Sequence, residues 1–191
     1  MESHYLRQVM TAKDIDLALS RIAAEIIEDH QNLDRTALVG IRRRGVPLAE
    51  VLRDKIETLT GRELELGILD INFYRDDLTK VDSHPVVGSS SLGFDVAERE
   101  IILVDDVLYT GRTTRAALES ILDYGRPLKV KLVVLIDRGH RELPIQADYV
   151  GKYVETAANE VIEVKVPSID DDEAVYLTTK ELLLKAAGQN S

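Results

Sequence analysis

The chain has 191 residues, 24 Lys and Arg against 34 Asp and Glu for a net charge of −10, 45% hydrophobic residues, and neither cysteine nor tryptophan. That composition describes one globular domain of ordinary size and argues against a coiled coil or a disordered tail. Without cysteine there is no disulfide framework, thiolate zinc site or cysteine nucleophile, and His4, His30, His84 and His140 lie too far apart for a His-x-His or His-x-x-x-His metal pair.

The first element expected is a helix. Thr11 and Asp14 offer capping side chains, and Ile15, Leu19, Ile22 and Ile26 recur at helical spacing, widened by Ala18, Ala23 and Ile27, through about residue 30. Ala37-Leu38-Val39-Gly40-Ile41 then reads as a strand buried on both faces, followed by the basic Arg42-Arg43-Arg44 and a helix that Pro47 opens near its first turn. Another strand is expected over Leu64–Ile71. From Asn72 to about Glu98 the chain turns polar and Gly/Ser-rich, and a segment of that length with weak periodicity is more often functional than idle. The strongest unit follows, Glu100 to Thr114: a buried strand, a tight polar loop and a helix running to Tyr124 before Gly125. Lys131–Asp137 reads as a further strand, Tyr149–Val154 and Val161–Val166 as short ones, and Leu177–Ala187 as a helix in a C-terminal extension over 177–191.

No internal repeat or low-complexity linker divides the chain, so a single domain over 1–191 is expected. Alternating strands and helices imply an α/β fold, a mainly parallel sheet flanked by helices, with its ligand crevice at the carboxyl ends of the strands. No apolar run approaches the roughly 20 residues that cross a bilayer, and Met1-Glu2-Ser3-His4-Tyr5 lacks the plan of a signal peptide. A cytoplasmic location and no membrane partner are expected. The acidic balance disfavours nucleic acid, although the Arg42-Arg43-Arg44 run concentrates positive charge in one place.

The turn from Asp105 to Thr113 carries the chemistry. Two adjacent carboxylates at the mouth of a parallel sheet can accept hydrogen bonds from vicinal hydroxyls or hold a hydrated divalent cation, while Thr110-Gly111-Arg112-Thr113 opens a helix whose free N–H groups attract an anion. Gly111 lets the backbone approach a phosphate closely, and the threonine hydroxyls add donors with little bulk. The bland alternative, a strand end that merely caps a helix, stays open on these residues alone. A P-loop or dinucleotide motif is excluded, because neither glycine pattern occurs.

With Thr-Gly-x-Thr included, Ile101 to Thr113 resembles the phosphoribosyl pyrophosphate signature of type I phosphoribosyltransferases. Leu38 to Gly45, Leu69 to Leu78, and Asp137-Arg138-Gly139-His140-Arg141-Glu142-Leu143-Pro144 with Ala147 to Lys152 extend the likeness in order over about residues 5 to 170. In these the chain resembles the bacterial pyrimidine operon attenuators with uracil phosphoribosyltransferase activity, the PyrR family.

That resemblance implies a type I phosphoribosyltransferase fold with a flexible hood loop at about 72–98, and conversion of uracil and phosphoribosyl pyrophosphate to UMP and pyrophosphate with magnesium (Mg2+). It implies that Asp105 and Asp106 hold the ribose diol, within a donor-binding run of Val107, Leu108, Tyr109, Thr110, Gly111, Arg112 and Thr113 whose last four residues take the 5′-phosphate. Arg43 and Arg44 would present the pyrophosphate loop, Arg75 would come from the hood, and Arg138 and the backbone near Ile162 would meet the base. Magnesium would be held mainly by substrate and water, with Asp105 and Asp106 as protein donors. Purine-using relatives carry an acid where this chain has Tyr109, which favours a pyrimidine and leaves no obvious general base. The resemblance also implies a homodimer or higher oligomer that binds pyrimidine operon leader mRNA when UMP is bound. Arg21, Arg42, His140, Arg141 and Lys152 are its candidate contacts, while Ala24, Asp29 and Gln146 stand where relatives often carry basic residues. An RNA-binding regulator that uses the pocket only as a nucleotide sensor is the alternative.

Overall fold

The computed structural model describes residues 5–30, 32–71 and 90–188. Its centre is a five-stranded parallel sheet in the order β3-β2-β4-β5-β6, formed by β2 (Thr36–Ile41), β3 (Glu65–Leu69), β4 (Glu100–Leu108), β5 (Lys129–Asp137) and β6 (Tyr149–Tyr153). Beside it lies a three-stranded antiparallel sheet, β1-β8-β7, of β1 (Arg7–Thr11), β7 (Glu160–Lys165) and β8 (Ala174–Thr179). The helices are α1 (Ala12–Asp29), α2 (Gly45–Thr60), α3 (Arg112–Tyr124), the short α4 (Pro167–Asp170) and α5 (Lys180–Gly188).

Alternation along β4 sorts the core into two layers. Ile102 and Val104 point with Leu38, Val133 and Leu135 toward the apolar stripes of α1 and α2, whereas Ile101 and Leu103 point with Val39 and Val134 toward Ala116, Ala117 and Ile121 of α3. A Leu or Ile so buried contributes roughly 1.5–3 kcal/mol relative to exposure. The α1 start is a complete capping box: Thr11 Oγ1 accepts from the Asp14 N–H, and the Asp14 carboxylate accepts from the Thr11 N–H at 2.9 Å. Gly61, at φ +68, ends α2 in the left-handed conformation.

Several sequence expectations need correction. The body opens on β1 rather than on a helix, and Val161–Val166 lies mostly in β7 of the antiparallel sheet, outside the parallel one. Leu177, Thr178 and Thr179 belong to β8, the central strand of that sheet, so the terminal helix begins at Lys180 and the extension is not an appendage from 177. Alternation of Val175 and Leu177, both buried, is the strand period that the following run of leucines masks. Part of the segment assigned to the hood is core: Ser91 exchanges two backbone bonds with Ile68 at 2.8 and 2.9 Å, and Leu92 and Val96 are buried under the α3 layer. The rest of it lies outside the described residues. No helix among the described residues is long and apolar enough to cross a membrane.

At the amino ends of the strands, His30 is buried with its Nδ1 2.5 Å from Glu100 Oε2 and its Nε2 without a partner. A neutral ring donating from Nδ1 leaves only a bare lone pair at Nε2, whereas protonation would bury an unsatisfied N–H. Burial accordingly holds the His30 pKa below its ordinary value of 6.5 despite the Glu100 carboxylate. Because the folded pKa is depressed, the unfolded chain takes up the proton first, and stability falls as pH drops below about 6.5. Urea denaturation at pH 7.5 and 5.5 is expected to show this loss, and His30→Gln to shrink the difference between the two pH values.

Candidate active site

Strands β2 and β4 are neighbours, and the chain crosses outward from them in opposite directions, to β3 on one side and to β5 on the other. The loops after them therefore diverge and open a crevice at the carboxyl edge. A cleft of about 780 Å³ lies there, lined by the residues after β2 (Arg42, Arg43, Arg44), by the continuous run Asp105 to Ala116, and by Arg138, Glu142 and Leu143 from beyond β5. All nine residues expected to bind the donor, Asp105 to Thr113, are in this wall.

Asp105, 7% exposed, and Asp106 lie within β4, which runs on to Leu108 paired with β5, so the loop expected from Asp105 begins only at Tyr109; each carboxylate steadies the next peptide, the Asp106 N–H donating to Asp105 Oδ1 and the Val107 N–H to Asp106 Oδ1, both at 2.9 Å. Asp106 Oδ2 has no hydrogen-bond partner among the described residues. Gly111 follows at φ +92 and starts α3 without a capping side chain of its own; the Arg112 N–H donates to Thr110 Oγ1 at 3.3 Å, and the positive end of the helix faces the cleft. A Cβ at Gly111 would stand 3.3 Å from Ile145 Cβ as well as in a strained backbone region.

The turn is braced from outside by the 137–145 segment. Arg141 donates to the carbonyls of Tyr109 at 2.7 Å, Ile145 at 3.0 Å and Gly139 at 3.1 Å, and pairs with the buried Asp137 carboxylate. Thr110 O accepts from the N–H groups of Glu142 and Leu143 at 2.9 and 3.2 Å, and Glu142 holds Arg112 Nε at 2.7 Å. The unusual Asp-Arg-Gly-His-Arg-Glu-Leu-Pro run thus forms a collar around the Thr110-Gly111 turn. The roles of Asp137 and Glu142 were not foreseen: Glu142 stands 30 residues from Arg112, and the four-residue spacing of Asp137 to Arg141 falls outside any helix and carries no local signal.

Arg138 is 6% exposed and its guanidinium is held by the protein: Nε donates to Thr156 Oγ1 at 3.1 Å, Nη2 to Glu160 O at 2.7 Å, and Cζ lies 4.1 Å from the Tyr109 ring centroid. Burial lowers its pKa. It lines the cleft, but its visible work is to hold Tyr109 and the chain entering β7. Ile162 is buried in β7, the outer strand of the antiparallel sheet, and is not part of the cleft wall.

The arginines after β2 are not equivalent. The Arg42–Arg43 peptide is cis. Arg42 reaches Asp70 at 3.8 Å, Arg44 forks onto Asp170 of α4 at 2.7 and 3.1 Å, and Arg43 is exposed with no partner among the described residues. Arg75 lies outside the described residues. Of the residues expected at RNA, Arg21 and Lys152 meet in a shallow hollow between α1 and β6, each bonded to backbone carbonyls, Arg21 to Val150 and Gly151 and Lys152 to Val9. His140, whose Nε2 is 2.6 Å from Thr156 O, and Arg141 stand in the collar, and Arg42 in the cleft wall. Among the described residues no cluster of three or more His, Asp or Glu side chains can cage a metal.

Residues 7–169 match the phosphoribosyl transferase domain family. The chain is 51% identical to the bifunctional protein PyrR of Caldicellulosiruptor bescii, over 90% of this chain and 94% of that one, and 53% identical to the bifunctional protein PyrR of Pelotomaculum thermopropionicum, over 89% and 94%. Its fold is that of hypoxanthine phosphoribosyltransferase from Trypanosoma cruzi in complex with IMP, with a TM-score of 0.73 over the whole of both chains at 14% identity.

Gly111→Ala is expected to destabilise the protein by about 1–3 kcal/mol, the usual cost of a non-glycine residue in such a backbone region. Side-by-side urea denaturation of the two proteins measures it.

Proposed function

The chain belongs to the phosphoribosyl transferase domain family and, within it, to the bifunctional PyrR proteins; from that premise we propose that its cleft transfers the phosphoribosyl group of phosphoribosyl pyrophosphate to uracil, giving UMP and pyrophosphate, and that UMP binding reports to a regulatory surface. The observation that carries the enzymatic reading is the meeting of the Asp105-Asp106 pair, the start of α3 and the Arg43 loop in one cleft.

The chemical difficulty is to expel a highly charged diphosphate from C1 of ribose through a transition state with oxocarbenium character. Asp105 and Asp106 accept hydrogen bonds from the ribose diol and place negative charge beside the developing cation. The α3 terminus, with the Thr110 and Thr113 hydroxyls, takes the 5′-phosphate and sets the sugar's position. Arg43, unpaired by any described side chain, faces the diphosphate as it departs, and Tyr109, held flat by Arg138, gives the base a wall without a carboxylate. Magnesium, when bound, offsets diphosphate charge. It would be carried mainly by substrate and water, with Asp105 and Asp106 as its protein donors.

Leader mRNA, bound by a homodimer or larger assembly, is the partner we propose for the regulatory activity. Arg21 and Lys152 line one hollow on the surface, with Asp14 beside them and Arg21 paired to Glu25. With few phosphate contacts the salt dependence should be shallow, close to one counterion for each contact.

Three outcomes test these readings. Asp105→Asn combined with Asp106→Asn should reduce uracil- and magnesium-dependent pyrophosphate release by at least about a hundredfold while leaving thermal unfolding nearly unchanged; full turnover in that variant would remove the site assignment. UMP should strengthen leader-transcript binding in a gel-shift assay, and Arg21→Ala with Lys152→Ala should weaken it. UMP-stimulated binding without any turnover in the native protein would turn the pocket into a sensor.

A further inference from the structure

Outside the cleft, a group of charged side chains ties the antiparallel sheet to the loop after β2. Asp170, the last residue of α4, receives two bonds from one guanidinium: Arg44 Nη2 to Oδ1 at 2.7 Å and Arg44 Nε to Oδ2 at 3.1 Å. The Val166 N–H also donates to Oδ2 at 3.1 Å. Lys165 Nζ stands 3.6 Å from Oδ1 and pairs with Glu163 at 2.5 Å. The Asp170 side chain is 9% exposed and the Arg44 side chain 28%. Burial works against the Asp170 carboxylate, but the bonds from Arg44 and the Val166 N–H outweigh it and hold its pKa below the ordinary range. The same bond raises the pKa of Arg44.

A fork of this kind fixes the plane and direction of a guanidinium, which a single contact cannot do. Its effect falls on a short loop already pinned elsewhere. Arg42 N–H donates to Leu69 O at 2.9 Å and its side chain reaches Asp70, and Gly45 lies directly on the Val104 carbonyl, where a Cβ would stand only 2.3 Å away. Between these anchors sits Arg43, exposed at the cleft. Asp170 itself is absent from the cleft wall.

We propose that Asp170 is a positioning residue for the diphosphate end of the cleft: its two-point hold on Arg44 keeps the 42–44 loop and Arg43 in place, and so sets affinity for the donor without touching it. This rests on reading that loop as the pyrophosphate cradle. Position and charge predict opposite signs here. Removing a carboxylate near an anion site and freeing a third arginine should, by electrostatics alone, tighten binding of a diphosphate; loss of loop geometry should weaken it.

Asp170→Asn, Arg44→Lys and Arg43→Ala test this by steady-state kinetics with both substrates and by pyrophosphate inhibition. We expect Asp170→Asn to raise KM for phosphoribosyl pyrophosphate and the inhibition constant for pyrophosphate by about tenfold, with kcat and the uracil KM within about twofold, a split that general loosening of the fold would not produce. Arg44→Lys keeps the charge, loses the fork and should shift the same two constants in the same direction, which covers the case in which Asp170→Asn does not fold. An unchanged or lowered donor KM in Asp170→Asn and Arg44→Lys, with a raised one in Arg43→Ala, overturns the role of Asp170 and leaves the loop reading standing. If Arg43→Ala also leaves donor and pyrophosphate affinity intact, the loop reading falls and the proposal with it.

Discussion

The mouth of this cleft depends on how closely the first turn of α2 approaches the middle of β4, at Val104 and Asp105. Gly45 sits against the Val104 carbonyl at a separation no Cβ could share, and a Cβ at Gly40 would fall 2.5 Å from Val46 Cα. These contacts are backbone on backbone, so the neighbours cannot yield by turning a side chain. They draw the 42–44 loop beside Asp105 and Asp106, and the two loops that diverge from β2 and β4 therefore share one wall. A larger residue at either position would separate the cationic edge of the cleft from its anionic floor.

Given that approach, acceptors brought from other elements decide which arginines stay unpaired at the cleft. Arg44 belongs to Asp170, Arg141 to Asp137 and the carbonyls of the turn, and Arg138 to Thr156, Glu160 and the Tyr109 face. Each spends its donors on protein acceptors, which satisfies groups that burial would otherwise penalise. Arg43 keeps its charge for the cleft. The net charge of −10 is thus consistent with a site for a polyanion, because several of the carboxylates serve as internal braces for a few well-placed cations.

The collar from Asp137 to Ile145 shows how the rigidity of the Thr110-Gly111 turn is secured. Its N–H groups and the Arg141 guanidinium bind the carbonyls of Tyr109 and Thr110, so the turn is held on its outer side while the positive end of α3 stays open on the other. A site held this way is preorganised for an anion before one arrives. Arg138, over the Tyr109 ring, fixes the next side chain of the same turn in the same way.

Local chemistry made much of this readable along the chain. The capping box at Thr11, the helical stripe of α1, the apolar run of β4 and the Asp-Asp to Thr-Gly-x-Thr turn each write their conformation within about a dozen residues, because backbone preference and periodicity act at short range. β1 and β8 were missed for the opposite reason. A strand of five or six residues has little signature of its own and is stable only through its partners, and Arg7–Thr11 finds Ala174–Thr179 across almost the whole length of the chain. The same distance hid Asp170 from Arg44 and Asp137 from its part in bracing a turn 28 residues earlier. What the amino-acid order determined alone was where the longer apolar strands and helices lie, and which residue types gather at one turn. Which of three adjacent arginines is left exposed at the cleft was decided only by folding, since that depends on Asp70 and Asp170, carboxylates brought from remote positions.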